Sequence, residues 1–260
     1  MFTEHFTSRM SPKFRPFWTK VFDALLRMYM GLFDVVVYPS EMRQKKTLDV
    51  YYLHNRAIAI SNGYVPKENV PAFSRKEEWK GKTVFFTVSR LTPEKNIGLI
   101  IDAFEQVHEK NPHTLLYIVG DGIIREELEQ YVRTKKYAKS IEFVGEKLGN
   151  ELEYYYAMGD VFVSASDHES EGLTTLEAIS HGKPIILSSS PGNAAQQFFC
   201  DNGYLFWSGD RDGLASKMLD ISSNMDMIHT MGKKSLKKSR EYDFRYSLAK
   251  YKQLYPSLLL

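Results

Sequence analysis

Glu169 and Glu177 stand with seven residues between them in the run Ser-Ala-Ser-Asp-His-Glu-Ser-Glu-Gly-Leu-Thr-Thr-Leu-Glu-Ala-Ile-Ser-His-Gly-Lys-Pro, residues 164–184. The apolar Val161-Phe162-Val163 just before it has the length of a buried strand. A polar loop follows, and the pattern predicts a helix that opens at Gly172 and stops at Gly182. A helix N-terminus presents unpaired backbone N–H groups and the positive end of a dipole, which suits a phosphate. Glu177 sits one and a half turns into this helix, where a carboxylate can accept hydrogen bonds from a diol. Glu169 lies before the helix, where a second polyol fits. A phosphate between two carboxylate-held polyols describes a nucleotide sugar. The competing reading is an ordinary strand–loop–helix, with Glu177 as a helix-forming surface residue. Its apolar neighbours Leu176, Ala178 and Ile179 argue for a half-buried helix instead.

Two cations occupy a similar loop upstream. The segment 83–89, Thr-Val-Phe-Phe-Thr-Val-Ser, reads as a strand and runs into Arg90-Leu-Thr-Pro-Glu-Lys95-Asn. Ile97, Ile100, Ile101, Phe104 and Val107 then keep helical spacing. Arg90 and Lys95 therefore fall on a strand-to-helix loop, at the end of an α/β sheet where ligands bind. Read alone, both are ordinary solvated cations.

The paired glutamates resemble the Glu-x7-Glu signature of retaining glycosyltransferases with the GT-B fold, sequence family 4. The form Glu169-Ser-Glu-Gly-Leu-Thr is similar to the Glu-Thr-Gln-Gly-Leu-Thr version of bacterial diacylglycerol glucosyltransferases. Ser89-Arg90-Leu91-Thr92-Pro93-Glu94-Lys95-Asn96 resembles the family's Gly-Arg-Leu-x-x-Glu-Lys-Asn. Val119-Gly120-Asp121-Gly122 looks like its glycine loop, and 141–145, ending in Val144-Gly145, like the strand that exits near the nucleotide base. Ala157-Met158-Gly159-Asp160 and Asp201-Asn202-Gly203-Tyr204-Leu205 also match, so the likeness runs in order from about residue 57 to 225.

The resemblance implies an α/β fold: a Rossmann-like parallel sheet flanked by helices, the GT-B C-terminal domain, with an incomplete N-terminal Rossmann-like remnant. It implies three parts: 1–64 as the remnant of an acceptor-side domain, 65–235 as the donor-binding domain, and 236–260 as a helix returning toward the N-terminal part. It implies transfer of a hexose from a nucleoside-diphosphate sugar, with UDP as the expected carrier, to a lipid or glycan with retention. Arg90 and Lys95 would hold the diphosphate and Glu169 the transferred sugar. Glu177 would hold the ribose, with Gly172, Leu173, Thr174, Gly120, Asp121, Val144 and Gly145 completing the donor site. Thr3-Glu4-His5 resembles a segment that carries the family's active-site histidine, which makes His5 a candidate. No metal or other cofactor is expected. Asp210-Arg211-Asp212 fits the Asp-x-Asp metal motif of another fold but reads here as a turn and helix cap. Glu171 departs from the family pattern and is expected to point outward, away from phosphate. Gln196-Gln197 departs from it too.

Composition narrows the surroundings. A 43% hydrophobic content supports a sizeable core, and no stretch of eighteen residues lacks charge, so no spanning helix is predicted. The single cysteine, Cys200, excludes an intrachain disulfide framework and fits a reducing, cytoplasmic compartment; it reads as a small core residue. Residues 233–252 carry a net charge of +6 and the rest −4. That basic, tyrosine-rich stretch is either a solvated face or a peripheral contact with the inner face of a membrane. Nucleic acid is not expected as a partner.

Residues 16–32 place Trp18, Val21, Phe22, Leu25, Tyr29 and Leu32 on one helix side, a face suited to a sheet or a membrane surface. Only about sixty residues precede the expected linker, so an exposed apolar patch is expected there, with self-association or a partner chain completing the N-terminal domain. The alternative function is a non-catalytic nucleotide-sugar-binding module acting with such a partner. A sugar-nucleotide epimerase is a further reading that the paired glutamates disfavour.

Overall fold

The computed structural model describes residues 71–258 without a break, residues 57–66 and 32–45, and positions 20, 21, 24, 25, 28 and 29. His5 and most of the helix expected over 16–32 lie outside the described residues. The chain divides into two compact units, residues 1–61 with 248–260, and residues 62–247.

In the larger unit, runs of β-branched and aromatic residues form six strands: β3 (Thr83–Val88), β4 (Thr114–Val119), β5 (Ile141–Gly145), β6 (Val161–Ser164), β8 (Ile185–Ser189) and β10 (Gly203–Trp207). Two strands of the smaller unit precede them, β1 (Val36–Tyr38) and β2 (Ala57–Ala59), which pair in parallel. The six-stranded sheet has the order β10-β8-β6-β3-β4-β5, and every pair is parallel. Helices cross over between strands: α1 (Ile97–Lys110), α2 (Arg125–Arg133), α3 (Gly149–Met158), α4 (Leu173–Ser180) and, after β10, α5 (Arg211–Ser222) and α6 (Met225–Ser239). A final helix, α7 (Phe244–Leu258), ends the described chain.

Both sheet faces are buried, which is why these strands read as continuous apolar runs rather than alternating ones. Phe85, Leu116, Ile118, Val163 and Ile186 project to one side against α1, α2 and α5. Val84, Phe86, Tyr117, Phe162 and Leu187 project to the other, against Trp79, α3 and α4. The order reverses between β3 and β6, so the loops leaving these two strands diverge to opposite faces and open a crevice. At the far end of the sheet, Arg75 grips Asp160 at 2.9 and 2.7 Å, and Asp160 accepts the Val84 amide at 2.7 Å. Lys183 nearby donates to the Ala157 carbonyl at 2.7 Å, and burial pushes its amine down to about 8.

Two expectations change and one is met. Cys200 is half-buried rather than a core residue, and desolvation raises its thiol pKa, which disfavours a nucleophilic role. Asp210 caps α5 through a bond from the Gly213 amide at 2.9 Å, the structural role read from its sequence. Glu171 does not point outward: it is 3% exposed, and its carboxylate accepts the Asn62 backbone amide at 3.1 and 3.2 Å as well as the Asn62 side-chain amide. A buried carboxylate needs donors, and Asn62 supplies two N–H groups from a position 109 residues away.

Candidate functional site

The loops at the C-terminal ends of β3 and β6 meet in the crevice. After β3 the chain turns through Arg90 and a short helical turn, Pro93–Lys95, into the left-handed Asn96 and then α1. The Asn96 amide donates to the Ala165 carbonyl at 3.1 Å and to Asp167 at 2.8 Å, so the β3 loop is pinned to the β6 loop. This fixes Lys95, whose amine lies 2.6 Å from Glu169 Oε1; the two side chains are only 12% and 19% exposed. Arg90 is exposed and makes no side-chain bond among the described residues.

A miniature parallel pair, β7 (His168–Glu169) with β9 (Gly192–Asn193), holds Glu169 in place. Beneath it, buried Asn193 donates to the carbonyls of Ser166 at 3.1 Å and Ser188 at 2.9 Å. Gly172 then starts α4 at φ 91, where an added Cβ would lie 2.4 Å from that of Ala195. Only glycine brings the chain this close in the left-handed conformation. No side chain caps α4. The amides of Leu173 and Thr174 have no hydrogen-bond partner among the described residues, and Leu173 is 45% exposed. They form an anion-attracting end beside Lys95.

Glu177 follows on α4, half-buried, and accepts the Tyr156 hydroxyl at 2.7 Å. On the other side of the crevice, Gly120 bends at φ 133 and its amide donates to the Gly145 carbonyl at 2.9 Å, with Val144 beside it at the end of β5. A Cβ at Gly120 would stand 1.9 Å from the Ser89 carbonyl oxygen, so the β3 and β4 exits touch through backbone alone. Asp121 is engaged by Arg125 at 2.7 Å and by the Gly122 amide at 2.7 Å, which hold its carboxyl below the usual range.

The structure thus brings Lys95 and Glu169 together where the β3 and β6 exits meet, carries Gly172, Leu173, Thr174 and Glu177 on the helix that follows, and puts Gly120, Asp121, Val144 and Gly145 at neighbouring strand exits of the same sheet end. His5 lies outside the described residues. Sequence reasoning missed Tyr156, hidden in a run of three tyrosines; Ser89, at the head of the Arg90 loop, has a buried hydroxyl with no hydrogen-bond partner among the described residues. No group of three or more histidine, cysteine or carboxylate side chains among the described residues is arranged to hold a metal. No described helix is long and apolar enough to cross a membrane.

The chain is similar to known proteins. The chain is 27% identical over 224 residues to an alpha-monoglucosyldiacylglycerol synthase of Acholeplasma laidlawii, covering 86% of this chain and 52% of that one. It is 32% identical over 177 residues to the synthase of the same name from Streptococcus pneumoniae, covering 64% and 40%. The chain spans about half the length of the curated relatives it matches. Among solved structures, Anabaena Alr3699/HepE in complex with UDP and glucose superposes with a TM-score of 0.77 at 19% identity, covering 90% of this chain and 67% of that one. That likeness establishes the GT-B fold. Residues 69–238 match the family model described as "Glycosyl transferases group 1", and the chain belongs to that family.

Proposed function

We propose that this chain binds a UDP-hexose and contributes to transferring the hexose to a lipid or glycan acceptor with retention at the anomeric carbon. One observation carries the reading: Lys95 and Glu169 lie 2.6 Å apart beside the uncapped start of α4, with Glu177 further along the same helix. Lys95, Arg90 and the amides of Leu173 and Thr174 face the position where a leaving diphosphate gains charge as its bond to the sugar breaks. Glu177 takes the ribose diol and Glu169 the hydroxyls of the sugar. No metal is needed, because cations and amides already neutralise the phosphates. The lipid choice follows the two synthases named above, and a cytoplasmic membrane face follows from that choice.

A second reading is a donor-binding module that works with a partner chain. It is supported by Leu25, Met28, Tyr29 and Leu32, which recur at helical spacing and are 55–76% exposed. A turnover assay with UDP-glucose on this chain alone separates the two.

Glu169→Ala tests the assignment within the site. It is expected to leave UDP affinity within about twofold and to weaken UDP-glucose about tenfold or more, the scale of one lost charged hydrogen bond. Calorimetry with both ligands measures this. Equal loss for both would place Glu169 on the nucleotide instead of the sugar.

A further inference from the structure

A carboxylate that is to accept two hydroxyls of a diol must hold its plane before the ligand arrives. Otherwise binding must first freeze its rotamers. Glu177 is on a helix, but its backbone does not fix its outer torsions. Tyr156, from α3, does. Its hydroxyl lies 2.7 Å from Glu177 Oε2 and 3.2 Å from the Thr174 carbonyl. The single hydroxyl proton goes to the nearer, charged acceptor.

The tyrosine itself cannot shift. Its side chain is 1% exposed. One face stacks on His181, with ring centroids 5.3 Å apart and planes at 19°. Phe86 meets it nearly edge-on at 5.8 Å and 83°. His181 is fixed in turn, with Nε2 2.9 Å from the buried carboxylate of Glu153 and Nδ1 2.9 Å from the Glu177 carbonyl oxygen. Burial and the neighbouring carboxylates Glu177 and Glu153 raise the phenol pKa well above its ordinary value, so the hydroxyl keeps its proton across the working range. The chain Glu153–His181–Tyr156–Glu177 therefore ends on one oxygen of Glu177 and leaves Oε1 with no partner among the described residues. Tyr156 also abuts Thr174, so one ring sets both the carboxylate and the first turn whose amides face phosphate.

We propose that Tyr156 is a positioning residue that orients the Glu177 carboxylate toward a vicinal diol and so makes the site selective for ribonucleoside diphosphates. This rests on the reading that Glu177 holds the ribose. It predicts an effect confined to ligands that carry the diol, which a purely structural tyrosine would not show.

Tyr156→Phe keeps the ring, the stack and the volume and deletes only the donor. The test is calorimetry on the full chain with UDP and with 2′,3′-dideoxyuridine diphosphate, plus a melting curve for each variant. The unmodified chain is expected to bind UDP at least about tenfold more tightly than the dideoxy analogue. Tyr156→Phe is expected to weaken UDP about tenfold while changing the analogue by less than about twofold. In a Glu177→Ala background, Tyr156→Phe is expected to add no further loss of UDP binding. Equal loss on both ligands, or full additivity with Glu177→Ala, would overturn the positioning role and leave the ribose assignment standing. An unmodified chain that fails to distinguish the two ligands would instead overturn the ribose assignment, and the positioning role with it.

Discussion

Lys95→Ala is expected to weaken UDP binding about 10- to 100-fold, and Glu177→Ala to do the same. Each removes a charged hydrogen-bonding group worth about 1–3 kcal/mol. The lysine carries a second burden. Its amine is the neighbour of Glu169 at 2.6 Å in a pair that is mostly shielded from water. Removing it also leaves the Glu169 carboxylate without its ion-pair partner next to the phosphate position, which adds repulsion to the lost attraction. Arg90, exposed and more screened, should cost less. Titration of each variant with UDP measures the order. A Lys95→Ala chain that binds UDP within twofold of the unmodified one would remove Lys95 from the phosphate site.

Gly172→Ala should act on stability and on the ligand together. At φ 91 an alanine pays for a left-handed backbone, and its Cβ would meet that of Ala195 at 2.4 Å. Left-handed strain at a non-glycine residue costs about 1–3 kcal/mol, and the clash adds to it. A unit of this size loses about 2–4 °C of melting temperature per kcal/mol, so a drop of several degrees is expected. Relief of the clash also moves the Leu173 and Thr174 amides, so UDP affinity should fall as well. A melting curve and a UDP titration check both effects. An unchanged melting temperature would mean that the loop yields without cost, and that the close approach to Ala195 does not position the helix.

The sheet was legible because its strands are short apolar runs that end in turn residues. Val161-Phe162-Val163 had the length of a buried strand, and 141–145 was recognisable by its resemblance, ending in the turn at Gly145. The loop chemistry was legible for a local reason. Each site element is a strand exit followed at once by a helix, so the local pattern puts Lys95 on a loop and Glu177 inside a helix. What was not legible is long-range. Glu171 looked like a solvated first-turn carboxylate, and only contact with Asn62 makes its burial possible. Nothing near position 171 announces that partner.

Tyr156 was hidden for a related reason. Successive helix residues point about 100° apart, so Tyr154, Tyr155 and Tyr156 go to different places. Tyr154 and Tyr155 pack around Trp79, and only Tyr156 turns to His181 and Glu177. Sequence periodicity marks a face but not which carboxylate that face meets. The pairing of Lys95 with Glu169 was likewise invisible, although each was assigned to the same ligand. It depends on β3 and β6 being neighbours in the sheet.

The most direct test of the central assignment is calorimetric titration of the full chain with UDP-glucose, in buffer treated with a chelator and again with magnesium. Saturable single-site binding of the same affinity in both buffers is the expected result, because Lys95, Arg90 and the amides at the start of α4 would carry the phosphates without a metal. Absence of binding to any nucleoside-diphosphate sugar, or binding abolished by the chelator, would contradict it.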